Sequence, residues 1–160
     1  MEIRTATIED LDRITEIEAL CFPEAEAASR KSFEKRLTHF ADRFWLLSDQ
    51  GTIVSFVNGM LTDEPDLADE MYDRAQMHDP EGKWQMIFGV DTIPEYRRRG
   101  CAERLLKHAI EESKKEGRAG LVLTCKDRLV HYYSKFGFQD EGMSDSTHGN
   151  VSWHQMRLSF

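Results

Sequence analysis

Pro94-Glu95-Tyr96-Arg97-Arg98-Arg99-Gly100-Cys101-Ala102 is the most informative stretch of this 160-residue sequence. Before it, Trp84 to Thr92 is strand-like and apolar on both sides, as a central strand should be. After it, Ala102, Leu105, Leu106, Ala109 and Ile110 form one stripe of a helix that Gly117 ends. A helix start exposes unpaired N–H groups and the positive end of the macrodipole, which together favour an anion. Gly100 and Ala102 are small enough for a ligand to approach the backbone, and the arginines add bidentate donors for phosphate. Each helix-terminus charge interaction contributes only about 0.3–1 kcal/mol, so several donors have to act together. The stretch lacks the Gly-Lys-Ser/Thr of a P-loop and the Gly-x-Gly-x-x-Gly of a dinucleotide fold. Strand, loop and helix in this order predict a pyrophosphate cradle; alone, the loop would read as a solvated basic turn.

Working outward, Ile3 to Ala6 reads as a short strand. Thr7 with Asp10 resembles a capping box, and Leu11, Ile14, Ile17 and Leu20 follow at helical spacing up to Pro23. A second helix is expected from about Ser29 to Phe40. Phe44 to Ser48 and Thr52 to Leu61 read as strands joined by an Asp49-Gln50-Gly51 turn. The segment from Asp63 to Glu81 is dense in acids, with a short amphipathic helix suggested by Leu67, Met71, Ala75 and Met77. It either steers an ammonium ion or is a solvated face. Gly120 to Thr124 is a short apolar strand. Asp127 is placed to cap a helix running through Leu129, Val130, Tyr133 and Phe136, and Val151 to Phe160 closes the chain as a strand. This order predicts an α/β (α+β) fold with a mixed sheet.

Composition narrows the function. The chain is 40% apolar and 31% charged, an ordinary balance for one domain over residues 1–160. No apolar run reaches the roughly 20 residues needed to span a bilayer, and no apolar h-region follows Met1. Cys21, Cys101 and Cys125 are odd in number and widely spaced. They give neither a disulfide framework nor a metal half-site, which suggests a reducing cytoplasm and no metal. A net charge of -8 argues against nucleic acid and anionic membrane as partners.

The loop resembles the pyrophosphate motif of the GNAT superfamily of N-acetyltransferases, Arg/Gln-x-x-Gly-x-Gly/Ala after a splayed central strand, matched by Arg97, Gly100 and Ala102. The resemblance covers the whole chain and is strongest to the arylalkylamine (serotonin) N-acetyltransferase branch. It is carried also by Phe56 to Glu64, by Ile87 to Leu106, and by Cys125 to Phe138 with its acid, tyrosine and Phe-Gly-Phe. It implies a central mixed, mostly antiparallel sheet with helices on both faces. It implies acetyl-CoA as co-substrate, held by Val90 and Thr92 at the pantetheine arm and by Arg98, Arg99, Gly100, Cys101, Ala102 and Glu103 around the pyrophosphate. Tyr133 matches the tyrosine beside the sulfur that protonates the leaving thiolate; Tyr132 and Tyr133 are otherwise core aromatics. Phe22 and Pro23 match the acceptor-pocket lid. The expected acceptor is a primary amine of a small molecule, handled by a monomer or homodimer. The alternatives are a lysine or protein N-terminus as acceptor, and a non-catalytic acyl-CoA sensor.

The arylalkylamine branch carries two strand histidines that relay the amine proton, and here Met86 and Phe88 occupy those positions on the acceptor side. Asp91 is the nearest carboxylate, either a base through water or a backbone partner at the splay. His78 is a further candidate against an ordinary surface histidine. Without an imidazole on the strand, the pH limb is expected to follow the acceptor's own pKa unless a carboxylate intervenes. Cys101, beside arginines at a helix start, is either a lowered-pKa thiol or a packing residue.

Overall fold

Reciprocal hydrogen bonds at Thr7 open the first helical stretch: its Oγ1 accepts from Glu9 N at 3.3 Å, and its own N–H donates to Asp10 at 2.9 Å. The computed structural model describes residues 1–144, 146 and 151–160. In order these form β1 (Glu2–Thr5), α1 (Leu11–Cys21), α2 (Arg30–Phe40), β2 (Phe44–Asp49), β3 (Thr52–Asn58), β4 (Leu61–Thr62) and α3 (Glu70–Asp73). There follow β5 (Trp84–Ile87), β6 (Gly89–Thr92), α4 (Cys101–Lys115), β7 (Gly120–Cys125), α5 (Val130–Ser134), β8 (Gln139–Met143) and β9 (His154–Ser159). Ser29 caps α2 by accepting from Ser32 N at 3.1 Å. Gln50 and Gly51, with φ of 51° and 83°, make the left-handed two-residue turn between β2 and β3.

The strands lie in two sheets, ordered β1-β2-β3-β6 and β4-β5-β7-β9-β8. Every pairing is antiparallel except β5 with β7, so the sheet is mixed and mostly antiparallel, as the sequence suggested. β3 is buried from Ile53 to Asn58 because α1 and α4 pack on it and Phe33 of α2 reaches its Phe56. Phe33 of α2 meets Phe44 and Phe56 edge-on, with ring centroids 6.2 and 5.9 Å apart. Leu105, Leu106 and Ala109 of α4 are fully buried. No helix among the described residues is long and apolar enough to cross a membrane.

Several expectations shift. Trp84 to Thr92 is not one strand, since Phe88 divides it between the two sheets. The acidic segment folds as α3 and a 3-10 turn at Ala75–Met77, with Leu67, Met71 and Ala75 buried. Asp127 caps nothing; it bonds His154 Nε2 at 3.1 Å, and Lys126 precedes the turn instead. β8 escaped notice because its residues are polar and it bulges, with Gly142 at φ 90°.

The two sheets stay joined where β3–β4 runs beside β5–β6. Met86 N donates to Met60 O at 2.8 Å and Phe88 N to Asn58 O at 2.7 Å, leaving Gly59 bulged between. A Cβ on Gly59 would lie 1.7 Å from the Met86 carbonyl oxygen. Buried Gln85 secures the bulge: its Nε2 donates to Gly59 O at 3.0 Å while Arg43 Nε donates to its Oε1 at 2.8 Å. Gly59→Ala should therefore cost more than about 3 kcal/mol in denaturant unfolding, the range of severe overpacking. Gly51→Ala, with nothing within 4 Å, should cost only about 1–2 kcal/mol from its positive φ. Equal losses for the two variants would refute the crossing constraint.

Candidate active site

Parallel pairing of β5 with β7 ends at Ile87 opposite Leu123. Beyond that point β6 follows β3, while Thr124 and Cys125 of β7 pair only with β9. The strands part into a cavity of about 370 Å³. Ile87, Phe88, Gly89 and Val90 line one wall, and Leu123, Thr124, Cys125 and Lys126 the other. Ile93 N bonds Val54 O at 3.0 Å, and backbone groups of an antiparallel strand alternate in direction. Counting back from Ile93 along β6, Val90 turns its backbone groups away from β3, into the parting; Phe88, just outside β6, breaks that alternation by donating to Asn58 O. Thr92 shares that phase, but its carbonyl accepts from Arg97 Nε at 3.1 Å and Cys21 Sγ at 3.3 Å.

At the outer end lies the loop before α4. Arg98 and Gly100 both adopt positive φ, 63° and 77°. For Arg98 this is a strained conformation of the kind held at functional sites. Helical bonding starts only with Arg104 N to Gly100 O at 3.0 Å, so the N–H groups of Cys101, Ala102 and Glu103 take no backbone acceptor among the described residues. Arg97 is turned back to Thr92, Arg99 lies over the Tyr96 ring at 4.7 Å, and Glu103 pairs with Lys107 at 2.9 Å. These free donors and the open backbone fit a pyrophosphate. Cys101 is a packing residue: it is buried, its thiol donates to Tyr96 O at 3.7 Å, and burial pushes its pKa up.

Tyr133 of α5 reaches the cavity with only 8% of its surface exposed, against Tyr132 and Phe138. Burial, then Tyr132, raise its pKa well above the ordinary phenol value. Its hydroxyl therefore keeps its proton through neutrality and is a donor. Tyr132 is turned further out, as helical phase requires.

Inward from the parting lies a buried polar cluster. Asp91 is fully buried, and among the described residues its carboxyl oxygens take no hydrogen bond from a donor, Glu18 being the carboxylate set against it. Burial first, and Glu18 second, push its pKa well above the usual carboxylate range. Glu18 Oε2 accepts from Ala28 N at 2.8 Å. Arg36 is buried between the Phe33 and Phe88 rings, 5.1 and 4.9 Å from their centroids. It donates to Asn58 Oδ1 at 3.1 Å and Tyr72 O at 3.0 Å. Tyr72 in turn bonds Thr124 at 3.2 Å across the cavity floor. Glu26 and Lys126, paired at 2.8 Å, tie the α1–α2 connection to the end of β7.

Of the expected acceptor-side residues, Phe22, Pro23 and Phe88 line the cavity. Met86 does not. It is fully buried in the core opposite Val122, because β5 side chains alternate and its neighbour Ile87 takes the cavity side. His78 is structural: its Nδ1 accepts from Leu61 N at 3.1 Å and its ring packs on Phe40 at 5.1 Å. The acids of residues 63–81 are largely engaged elsewhere, Asp66 with Arg157 and Asp63 with Lys83 N; Asp73 reaches the cavity. Sequence reasoning missed Glu18 and Arg36. The signal was present, since Glu18 stands one turn after Ile14, and Arg36 between Phe33 and Leu37, each a charge on an apolar stripe.

Comparison with known proteins agrees with this geometry. The sequence is 28% identical to the serotonin N-acetyltransferase of Mesocricetus auratus over 165 residues, spanning 99% of this chain and 77% of that protein. In fold it superposes on the GphF GNAT-like decarboxylase in complex with isobutyryl-CoA, with a TM-score of 0.84 at 20% identity over 99% of both chains. The ribosomal-protein-S18-alanine N-acetyltransferase of Escherichia coli superposes with a TM-score of 0.74 at 21% identity, over 99% of this chain and 92% of that one. The model of the acetyltransferase (GNAT) family matches residues 11–138, which include the parted strands, the arginine loop and Tyr133. The chain belongs to the acetyltransferase (GNAT) family, N-acetyltransferases that draw the acetyl group from acetyl-CoA.

Proposed function

We propose that the acceptor is a primary amine of a small molecule, acetylated by direct attack on the thioester. The supporting observation is the cavity itself. At about 370 Å³ in all, lined at one part by Phe22 and Pro23 and shared with the thioester end of the cofactor, it leaves room for a small acceptor. The aromatic surfaces of Phe22, Phe88, Tyr72 and Trp153 give an apolar body a place to lie, and Asp73 supplies a carboxylate for an ammonium group. The free thiols of Cys21, Cys101 and Cys125 favour a reducing compartment, the cytoplasm.

In this reading the tasks divide among the residues. The loop from Arg97 to Glu103 holds the pyrophosphate, and the Val90 backbone aligns the pantetheine arm and donates its N–H to the carbonyl oxygen as charge develops there. The amine nitrogen attacks the thioester carbon, the C–S bond breaks, and Tyr133 gives its proton to the departing sulfur. A panel of small amines and short peptides, followed by release of free thiol from acetyl-CoA, tests the acceptor. Small primary amines should give the higher kcat/KM; a peptide N-terminus or lysine outrunning all of them would overturn the small-molecule reading.

Tyr133→Phe removes the hydroxyl and leaves the packing against Tyr132 and Phe138. Turnover should fall roughly 10²-fold while acetyl-CoA affinity, measured by calorimetry, changes little. Unchanged turnover in the folded variant would reduce Tyr133 to a packing residue.

A further inference from the structure

The space above Gly89 is where the acceptor side of the cavity meets the buried carboxyls. A methyl group on Gly89 would lie 3.1 Å from Asp91 Oδ1, 3.5 Å from Asn58 Nδ2 and 4.0 Å from Glu18 Oε1. Three polar atoms thus converge on one point of the strand, beside the residue whose backbone faces the parting. Glu18 lines the cavity; Asp91 stands behind it, fully buried. We propose that Glu18 is the group that takes the proton from the acceptor ammonium, and that Asp91 is its positioning residue, a neutral carboxylic acid donating to it. This rests on the reading of the cavity as the acceptor site of an N-acetyltransferase.

The charges around the pair support this division. From α1 comes the Cys21 thiol, one turn on from Glu18; from α2, the Arg36 guanidinium; from α3, Tyr72 and Asp73; from α5, Tyr133; and from the arginine loop, Arg97 beside Cys21. Asn58 of β3 is uncharged. Arg36, fixed by Asn58 and the Tyr72 carbonyl, is the one cation among the described residues that is buried with the cluster. A single buried cation compensates one carboxylate and leaves the second to hold its proton. Asp91 is that second group: burial and Glu18 raise its pKa, and both its oxygens lack any other partner. Glu18 already has Oε2 fixed by Ala28 N, which leaves Oε1 on the side of Gly89.

The protons balance. An ammonium N–H bond breaks and an O–H bond forms at Glu18, freeing the nitrogen lone pair for attack on the thioester carbon. As the amide forms, the nitrogen gives up a second proton, which replaces the one Tyr133 passed to the thiolate. Glu18 then releases its proton to solvent through the cavity.

The test is kcat/KM against pH with two acceptors of different pKa, on the full chain and its variants, with melting temperature and acetyl-CoA affinity as checks of folding. In the parent the rising limb should keep one midpoint for both acceptors. Glu18→Gln, whose amide oxygen can still accept from Ala28 N, should lose roughly 10²-fold at neutral pH and leave a limb that moves with the acceptor. Asp91→Leu should lose roughly tenfold, because the hydrogen bond to a charged group is gone. Its limb should still keep one midpoint for both acceptors, since Glu18 remains in place. Asp91→Asn restores a donor and should recover most of that loss. Turnover of Glu18→Gln at the parent's rate would overturn the assignment. So would an Asp91→Asn as impaired as Glu18→Gln, which would make Asp91 itself the base. A parent that binds acetyl-CoA but acetylates no primary amine would instead overturn the acceptor reading, and the base with it.

Discussion

Phe88 N–H, held by the carbonyl of Asn58 at 2.7 Å, decides which sheet the second half of the central strand belongs to. One residue earlier, Ile87 is still level with Leu123 of the parallel neighbour. The chain satisfies its backbone groups on the β3 side and abandons those facing β7. Unpaired backbone in a protein interior is costly, so the parting is tolerable only where something else supplies partners. The pantetheine arm, a chain of amides, is suited to that role along Val90. The bulge at Gly59, pinned by Gln85 and Arg43, makes the geometry possible, because a side chain there would collide with the Met86 carbonyl.

The same parting explains why polar groups gather in the middle of an otherwise apolar core. Asp91 lies on the β6 half and opposite Phe56, with Glu18 and Arg36 brought to it by α1 and α2. Burying such groups is unfavourable unless they are paired, and among the described residues this cluster leaves Arg36 Nε without a partner and Asp91 with only Glu18 to turn to. Sequences depart from local optima of this kind at functional sites. Opposite them, Tyr133 is a protonated phenol at the other wall, so acceptors and donors of protons lie on either side of the parting.

Much of the fold was legible because periodicity and end signals agreed. Thr7 with Asp10, Ser29, Asp49-Gln50-Gly51 and Gly117 all mark the boundaries they suggested. The arginine loop could be read because strand, glycine and helix start occur in fixed order. The break at Phe88 left no trace in composition, since hydrogen bonding to β3 rather than β7 is a tertiary choice. β8 was hidden by polar residues on an exposed edge, and Asp127 spent its carboxylate on His154. Glu18 and Arg36 were passed over because a helical stripe is read for its apolar members. Met86 was misplaced because the family resemblance fixes the strand but not which face looks onto the cavity.

The central claim is that acetyl-CoA occupies the parted strands, with its pyrophosphate on the free N–H groups before α4. Amide hydrogen exchange, resolved by residue with and without acetyl-CoA, measures this directly. Val90 and the amides from Arg98 to Glu103 should slow markedly on binding, while β8 and the Gln50–Gly51 turn keep their rates. Protection confined to other elements, with Val90 and the arginine loop unchanged in the saturated protein, would contradict it.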